Sequence, residues 1–247
     1  MKPRLARLTE VLAVERENLL LGTVYLAVLV FVLALYLWVG IGREEGYNPV
    51  QYRNAYVYFL VFDFLLFTLF VPYWEREAAS SQNRYLWKSC VGIAVMAAST
   101  VPVALAIFVA GRTMPADLLL PLALKTVWGM AVVVGRGFLE AVKPGWRWNG
   151  FLTGFLIFCV LVLGGLLAYF CVQYRQAVIT TLYDRDIPKV FFLNPLLALA
   201  GLAYCQAGGG TQLGLLPAYA CLGFWGLVTA ALVLATQKVS GGRLTRG

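Results

Sequence analysis

The chain has 247 residues, of which 61% are hydrophobic and 13% charged, with a formal net charge of +8 and a mean hydropathy of +0.76. A soluble domain carries about twice that share of charge, so an ordinary globular fold is excluded and an all-α, polytopic membrane protein is expected. The basic excess fits cytoplasmic loops and anionic lipid better than nucleic acid, because no aromatic-basic interleaving accompanies it.

Residues 1–18 come first. Leu5, Leu8 and Leu12 form one helical stripe beside Lys2, Arg4, Arg7 and Arg16. That pattern predicts an amphipathic helix lying in the membrane interface. Six spans are then expected within residues 19–236, at about 19–41, 56–73, 91–110, 118–134, 151–172 and 213–235. Between the first two, residues 42–55 read as a polar loop. Pro102 falls inside the third span and predicts a kink there. The fourth span is short and contains Pro121 and Lys125. Residues 136–149 (RGFLEAVKPGWRWN) read as a basic, aromatic loop. After the fifth span comes a polar stretch, 173–189. The apolar segment 190–204 that follows is too short to cross a ~30 Å core, and Asn194-Pro195 interrupts it. It is expected to be re-entrant or interfacial on the outer side. Residues 237–247 read as a basic cytoplasmic tail. With both termini inside, thirteen Lys and Arg residues fall on inner segments and six on outer ones, with Lys125 left in the membrane. This is the asymmetry that sets orientation. The whole is one membrane domain in the cytoplasmic (inner) membrane.

Chemistry is constrained mostly by absence. There is no histidine, which removes His-ligated haem, His-based zinc and Ser-His or Cys-His catalysis. Cys90, Cys159, Cys171, Cys205 and Cys221 form no C-x-x-C pair, so neither a disulfide framework nor a metal site is expected. No G-x-S-x-G or H-E-x-x-H motif occurs. Gly208-Gly209-Gly210-Thr211 lacks the Lys-Ser/Thr ending of a phosphate loop. An enzyme, or a cofactor held by this chain, is therefore not expected. Gly150/Gly154 and Gly210/Gly214 match the small-xxx-small pattern that lets helices approach closely.

Two charges, Asp63 and Lys125, lie within spans. At that depth they are expensive and face a bundle interior or a wet cavity. They are expected to be close enough to pair. A pathway or proton-coupling role, as in an ion-coupled carrier, is the functional alternative to that structural one. A second cluster, Glu75-Arg76-Glu77, directly follows the second span and leads to Arg84 and Lys88, with Trp74 and Trp87 flanking the segment. Its cytoplasmic position and interfacial aromatics suggest a short membrane-parallel helix that docks a soluble partner.

The order of these elements resembles the permease subunits of the ABC-2 type of ATP-binding-cassette transporters. The resemblance covers the whole chain as a layout. Residue by residue it rests on Glu75-Arg76 after span two and on Asn194-Pro195-Leu196 before the last span. In place of the family's usual Gly-Thr after the Glu-Arg pair stand Glu77-Ala78-Ala79. The resemblance implies a coupling helix formed by the connector (Glu75, Arg76, Glu77, Arg84) and seated in a separate cytoplasmic ATP-binding subunit. It also implies an outer re-entrant hairpin begun by Asn194 and Pro195, and a second permease copy or a homologous permease as partner within the bilayer. A non-catalytic membrane anchor or scaffold of a larger complex is the alternative.

Overall fold

The computed structural model describes residues 16–41, 49–71, 91–94, 96–98, 100–111, 116–167, 170, 181–182, 185–186, 193–206 and 215–244. Among them the helices are α1 (Arg16–Ile41), α2 (Pro49–Phe70), α3 (Val101–Gly111), α4 (Ala116–Val142), α5 (Asn149–Phe158), α6 (Pro195–Gln206) and α7 (Leu216–Leu244). Residues 91–94 and 96–98 are also helical. A π-helical turn, Cys159–Leu163, carries α5 onward into helical residues 164–167. Extended structure among the described residues is confined to a two-residue antiparallel pairing of Thr181–Leu182 with Arg185–Asp186. Among the described residues four stretches, 52–70, 119–142, 149–167 and 216–239, are long and apolar enough to cross a membrane. Apart from that short pairing the described residues are helical, and the apolar helices are those of a multi-pass membrane protein.

Several helices outrun the apolar stretches that announced them. The expected loop 42–55 is already helical from Pro49, which sits in the first helical position, where its missing N–H costs nothing. The expected short fourth span is a 27-residue helix, so residues 136–142 are helix rather than loop. Arg136 and Glu140 are four residues apart and extend the helix past the apolar run. It stops only at Pro144-Gly145, where Gly145 takes a positive φ of 68°. The last helix runs to Leu244, through most of the expected basic tail. In each case polarity marks the edge of the apolar layer, while backbone hydrogen bonding continues into the polar residues beyond. In the third expected span, residues 91–94 and 96–98 are helical and precede a turn residue at 100. Thr100 forms a turn, α3 begins at Val101, and Pro102 falls in its first turn.

Packing sorts the helices into a centre and a rim. The spanning windows of α2 and α4 are each 44% buried, whereas those of α5 and α7 are 11% buried. Phe64, Phe67, Leu124, Trp128, Ala198 and Leu199 lie in one buried cluster contributed by α2, α4 and α6. Trp128 meets Trp225 of α7 edge-on, ring centroids 4.6 Å apart. Helix directions follow from the contacts. Leu29 of α1 packs with Tyr56, Phe59 and Leu60, while Tyr25 reaches Asp63, so α1 and α2 are antiparallel. Arg53 Nε donates to Gly111 O at 2.9 Å, joining the start of α2 to the end of α3. Leu120 clusters with Ala218, and Gly135 faces Leu232, so α4 and α7 run parallel. Their C-terminal ends, carrying Arg136 and Lys238, therefore share one side of the bundle.

Candidate functional site: a charged network inside the bundle

The inward face of α2 is written in helical spacing. Tyr56, Phe59, Leu60, Asp63, Phe64 and Phe67 recur three or four residues apart, and all are buried. Asp63 is the single charge on that face. On α4 the buried face reads Leu120, Leu124, Lys125, Trp128 and Val132. Because α2 and α4 pack in parallel, the acid and the base meet.

Lys125 Nζ lies 2.7 Å from Asp63 Oδ2 and 2.9 Å from Oδ1. It also donates to Tyr25 Oη at 3.0 Å and to Thr100 Oγ1 at 3.1 Å. The Tyr25 hydroxyl in turn donates to Asp63 Oδ1. The Thr100 hydroxyl donates to Ala97 O at 2.9 Å. The three protons of the ammonium thus have a carboxylate, a phenol and a hydroxyl as acceptors. Below the ammonium, the Phe67 ring centroid is 4.9 Å away, within cation–π range. Four parts of the chain converge here: α1, α2, the Thr100 turn and α4. A buried charge left alone would carry a desolvation cost of several kcal/mol. Pairing together with complete hydrogen bonding is what makes these two tolerable in a bundle core. A cavity of about 20 Å³ adjoins the network, room for roughly one water. Asp63, Thr100 and Lys125 contribute to its lining, and Leu60, Val101 and Leu199 to its apolar walls.

The floor of the site depends on one glycine. A Cβ built on Gly129 would lie 2.7 Å from Cζ of Phe67, whose side chain is fully buried. Gly129→Ala is expected to lower the thermal midpoint in detergent. Overpacking costs about 1–3 kcal/mol, which outweighs the gain of about 1 kcal/mol in helix propensity. A raised midpoint would show that α2 and α4 are not in this close contact.

A second polar device lies at the start of α6. Asn194 Oδ1 accepts from the N–H groups of Leu196 at 2.9 Å and Leu197 at 3.3 Å, and so caps the helix. Pro195 has no N–H to satisfy. The same side chain donates from Nδ2 to Val160 O at 2.8 Å and Leu161 O at 3.3 Å, both in the π turn. Leu193 O, the last carbonyl before the break, accepts from Trp225 Nε1 at 2.8 Å. Gly164 permits this approach, since a Cβ there would stand 2.9 Å from Asn194 Nδ2. The Leu193 carbonyl and the N–H groups of Leu196 and Leu197 are thereby met by side chains, as an apolar environment demands. The 12 residues of α6 rise about 18 Å, short of a ~30 Å core. Its start lies beside Trp225, the tenth residue of α7, and Leu202 near its end reaches Ala218 near the start of α7. The helix therefore runs antiparallel to α7.

Among the charges and motifs singled out in the sequence, Asp63 and Lys125 are side by side, and Asn194 and Pro195 open α6. Glu75, Arg76, Glu77 and Arg84 lie outside the described residues, as do residues 1–15. Gly150 and Gly154 have open space where a Cβ would be, so that small-residue pair brings no two helices of this chain together. Gly210 and Gly214 are outside the described residues. Tyr25, Thr100, Gly129, Gly164 and Trp225 were not legible as site residues. Each is an unremarked member of an apolar run, and only the fold gives it a polar partner or a close neighbour. No protein-family model, curated protein or solved structure matches the chain.

Proposed function

We propose that this chain is the membrane-spanning permease subunit of an ATP-driven transporter of ABC-2-like layout, embedded in the cytoplasmic membrane. In this reading it crosses six times, with both termini cytoplasmic. The observation that carries it is α6, a 12-residue helix opened by Asn194-Pro195 that starts beside Trp225, partway along the last long helix, and runs back against it. That arrangement supports an outer re-entrant segment before the final span, the element that the resemblance turns on. The helix directions support the rest. α1 and α2 are antiparallel, α2 and α4 parallel, and α4 and α7 parallel, as six crossings with one half-helix require.

ATP hydrolysis belongs to a second polypeptide, since no phosphate loop occurs in this one. The connector that includes Glu75, Arg76, Glu77 and Arg84 receives the motion of that ATPase. A second permease copy or a homologue completes the path, which opens as the bundle moves between two packed states. In the test, the protein is gently solubilised and its partners identified, and ATPase activity is measured with Arg76→Glu and Glu77→Arg combined. The expected result is a co-purifying ATPase whose coupling to transport falls in the reversed variant while the bundle stays folded. If no ATPase associates, or if reversal changes nothing, the permease reading fails and a scaffold subunit takes its place.

A further inference from the structure

The turn from α4 to α5 is built to hold its shape. Glu140, in the last turn of α4, accepts from the Gly145 N–H through Oε1 at 2.8 Å and from Asn149 Nδ2 through Oε2 at 2.7 Å. One carboxylate thus ties the end of α4, the positive-φ glycine and the first residue of α5 together. Within the turn, Trp146 N–H donates to Lys143 O at 3.4 Å and Asn149 N–H to Trp146 O at 3.0 Å. The knuckle presents two exposed cations, Lys143 and Arg147. Lys143 Nζ stands 5.1 Å from the Trp146 ring centroid.

Directly beyond the cations an aromatic ladder descends α5. Trp148 meets Phe151 edge-on at 5.8 Å, and Phe151 stacks on Phe155 at 6.4 Å. All three are exposed, Trp148 at 61% and Phe151 at 66%. Exposed cations at the end of a span and exposed rings running into its apolar length match one kind of molecule in both halves. An anionic head and apolar chains must lie end to end. Both oxygens of the one carboxylate of the knuckle, Glu140, accept hydrogen bonds from the turn, and the two cations outnumber it.

We propose that the α4–α5 knuckle is a binding site for an anionic phospholipid. Lys143 and Arg147 hold its headgroup phosphate, and Trp148, Phe151 and Phe155 line its chains. The chemistry is that of juxtamembrane basic residues on an acidic leaflet, with tryptophan at headgroup level. The site is independent of any ATPase and of the permease reading.

The test uses the full-length protein in nanodiscs of phosphatidylcholine mixed with phosphatidylglycerol. Retained lipids are counted by native mass spectrometry after release. Wild type is expected to retain phosphatidylglycerol well above its share of the mixture. Each removed cation should cut that enrichment about fivefold, from a surface attraction of roughly 1 kcal/mol per basic residue. Lys143→Gln with Arg147→Gln should therefore abolish the preference, and Lys143→Arg with Arg147→Lys should keep it. Trp148→Ala with Phe151→Ala should lower retention of both lipids alike. No preference in wild type, or full preference in the double Gln variant, overturns the proposal. So does displacement of the lipid by inorganic phosphate, which would make the knuckle a site for the free anion.

Discussion

Replacing Lys125 by Met is expected to destabilise the bundle by about 3–5 kcal/mol, the cost of stranding one member of a buried ion pair. The variant leaves the Asp63 carboxylate in the core with only the Tyr25 hydroxyl as donor among the contacts described above. Thr100 keeps its bond to Ala97 O and loses only the ammonium. Asp63→Asn alone should also destabilise, because the ammonium then lacks its counter-charge. The double variant, Asp63→Asn with Lys125→Met, should recover much of the loss, since a neutral pair of similar volume removes both desolvation costs together. Unfolding in a denaturing detergent series gives the three stabilities, and the cycle gives the coupling between the two residues. If the double variant is no more stable than the worse single, the two charges do not neutralise each other.

The location of this network was legible and its membership was not. An acid in YVYFLVFDFLLF and a lysine in LLLPLALKTVWG stand out because their surroundings cannot solvate them. Which groups complete the site depends on how helices far apart in sequence are set against each other. Tyr25 is one aromatic in an apolar helix until α1 packs antiparallel to α2 and brings its hydroxyl to Asp63. Thr100 is a small polar residue in a largely apolar run until the turn there brings its hydroxyl to Lys125. Glycines illustrate the same limit. Gly150/Gly154 has the spacing of a contact and makes none within this chain, whereas Gly129 and Gly164 have no spacing signature and sit at the closest approaches. A small-residue pattern states what a helix permits. Whether a neighbour uses it is decided by tertiary packing.

Helix ends were read too short for a related reason. Hydropathy reports the thickness of the apolar layer, about 20 residues of helix. The helices themselves end where capping and turn chemistry end them, at Pro49 and at Pro144-Gly145. The start of α6 was legible because both signals coincide there. Its apolar length is too small, and Asn-Pro supplies a cap and a break at the same two residues.

The two polar devices are joined through α6. Leu199 lies one turn beyond the capped end of α6 and contributes to the wall of the cavity beside Asp63 and Lys125. A displacement of the Asn194 joint would therefore be felt at the charged network within one turn of helix.

Asn194 offers the sharpest test of that joint. At an ordinary helix start, Asn and Asp cap almost equally well, and exchanging them changes little. Here the side chain works in both directions. Its oxygen caps Leu196 and Leu197, and its nitrogen donates to Val160 O and Leu161 O across the bundle. Asn194→Ala should cost about 3 kcal/mol or more, because several backbone groups lose their partner at about 1–3 kcal/mol each. Asn194→Asp keeps the caps but sets a carboxylate oxygen against two carbonyls inside an apolar layer. It should be at least as damaging as Ala. Gly164→Ala should act in the same direction with a smaller effect, by crowding Nδ2. The measurement is unfolding of each variant in the same detergent series as the Lys125 cycle. Were Asp tolerated like Asn, the bonds to the π turn would be dispensable, and α6 would be held by its cap and by Trp225 alone.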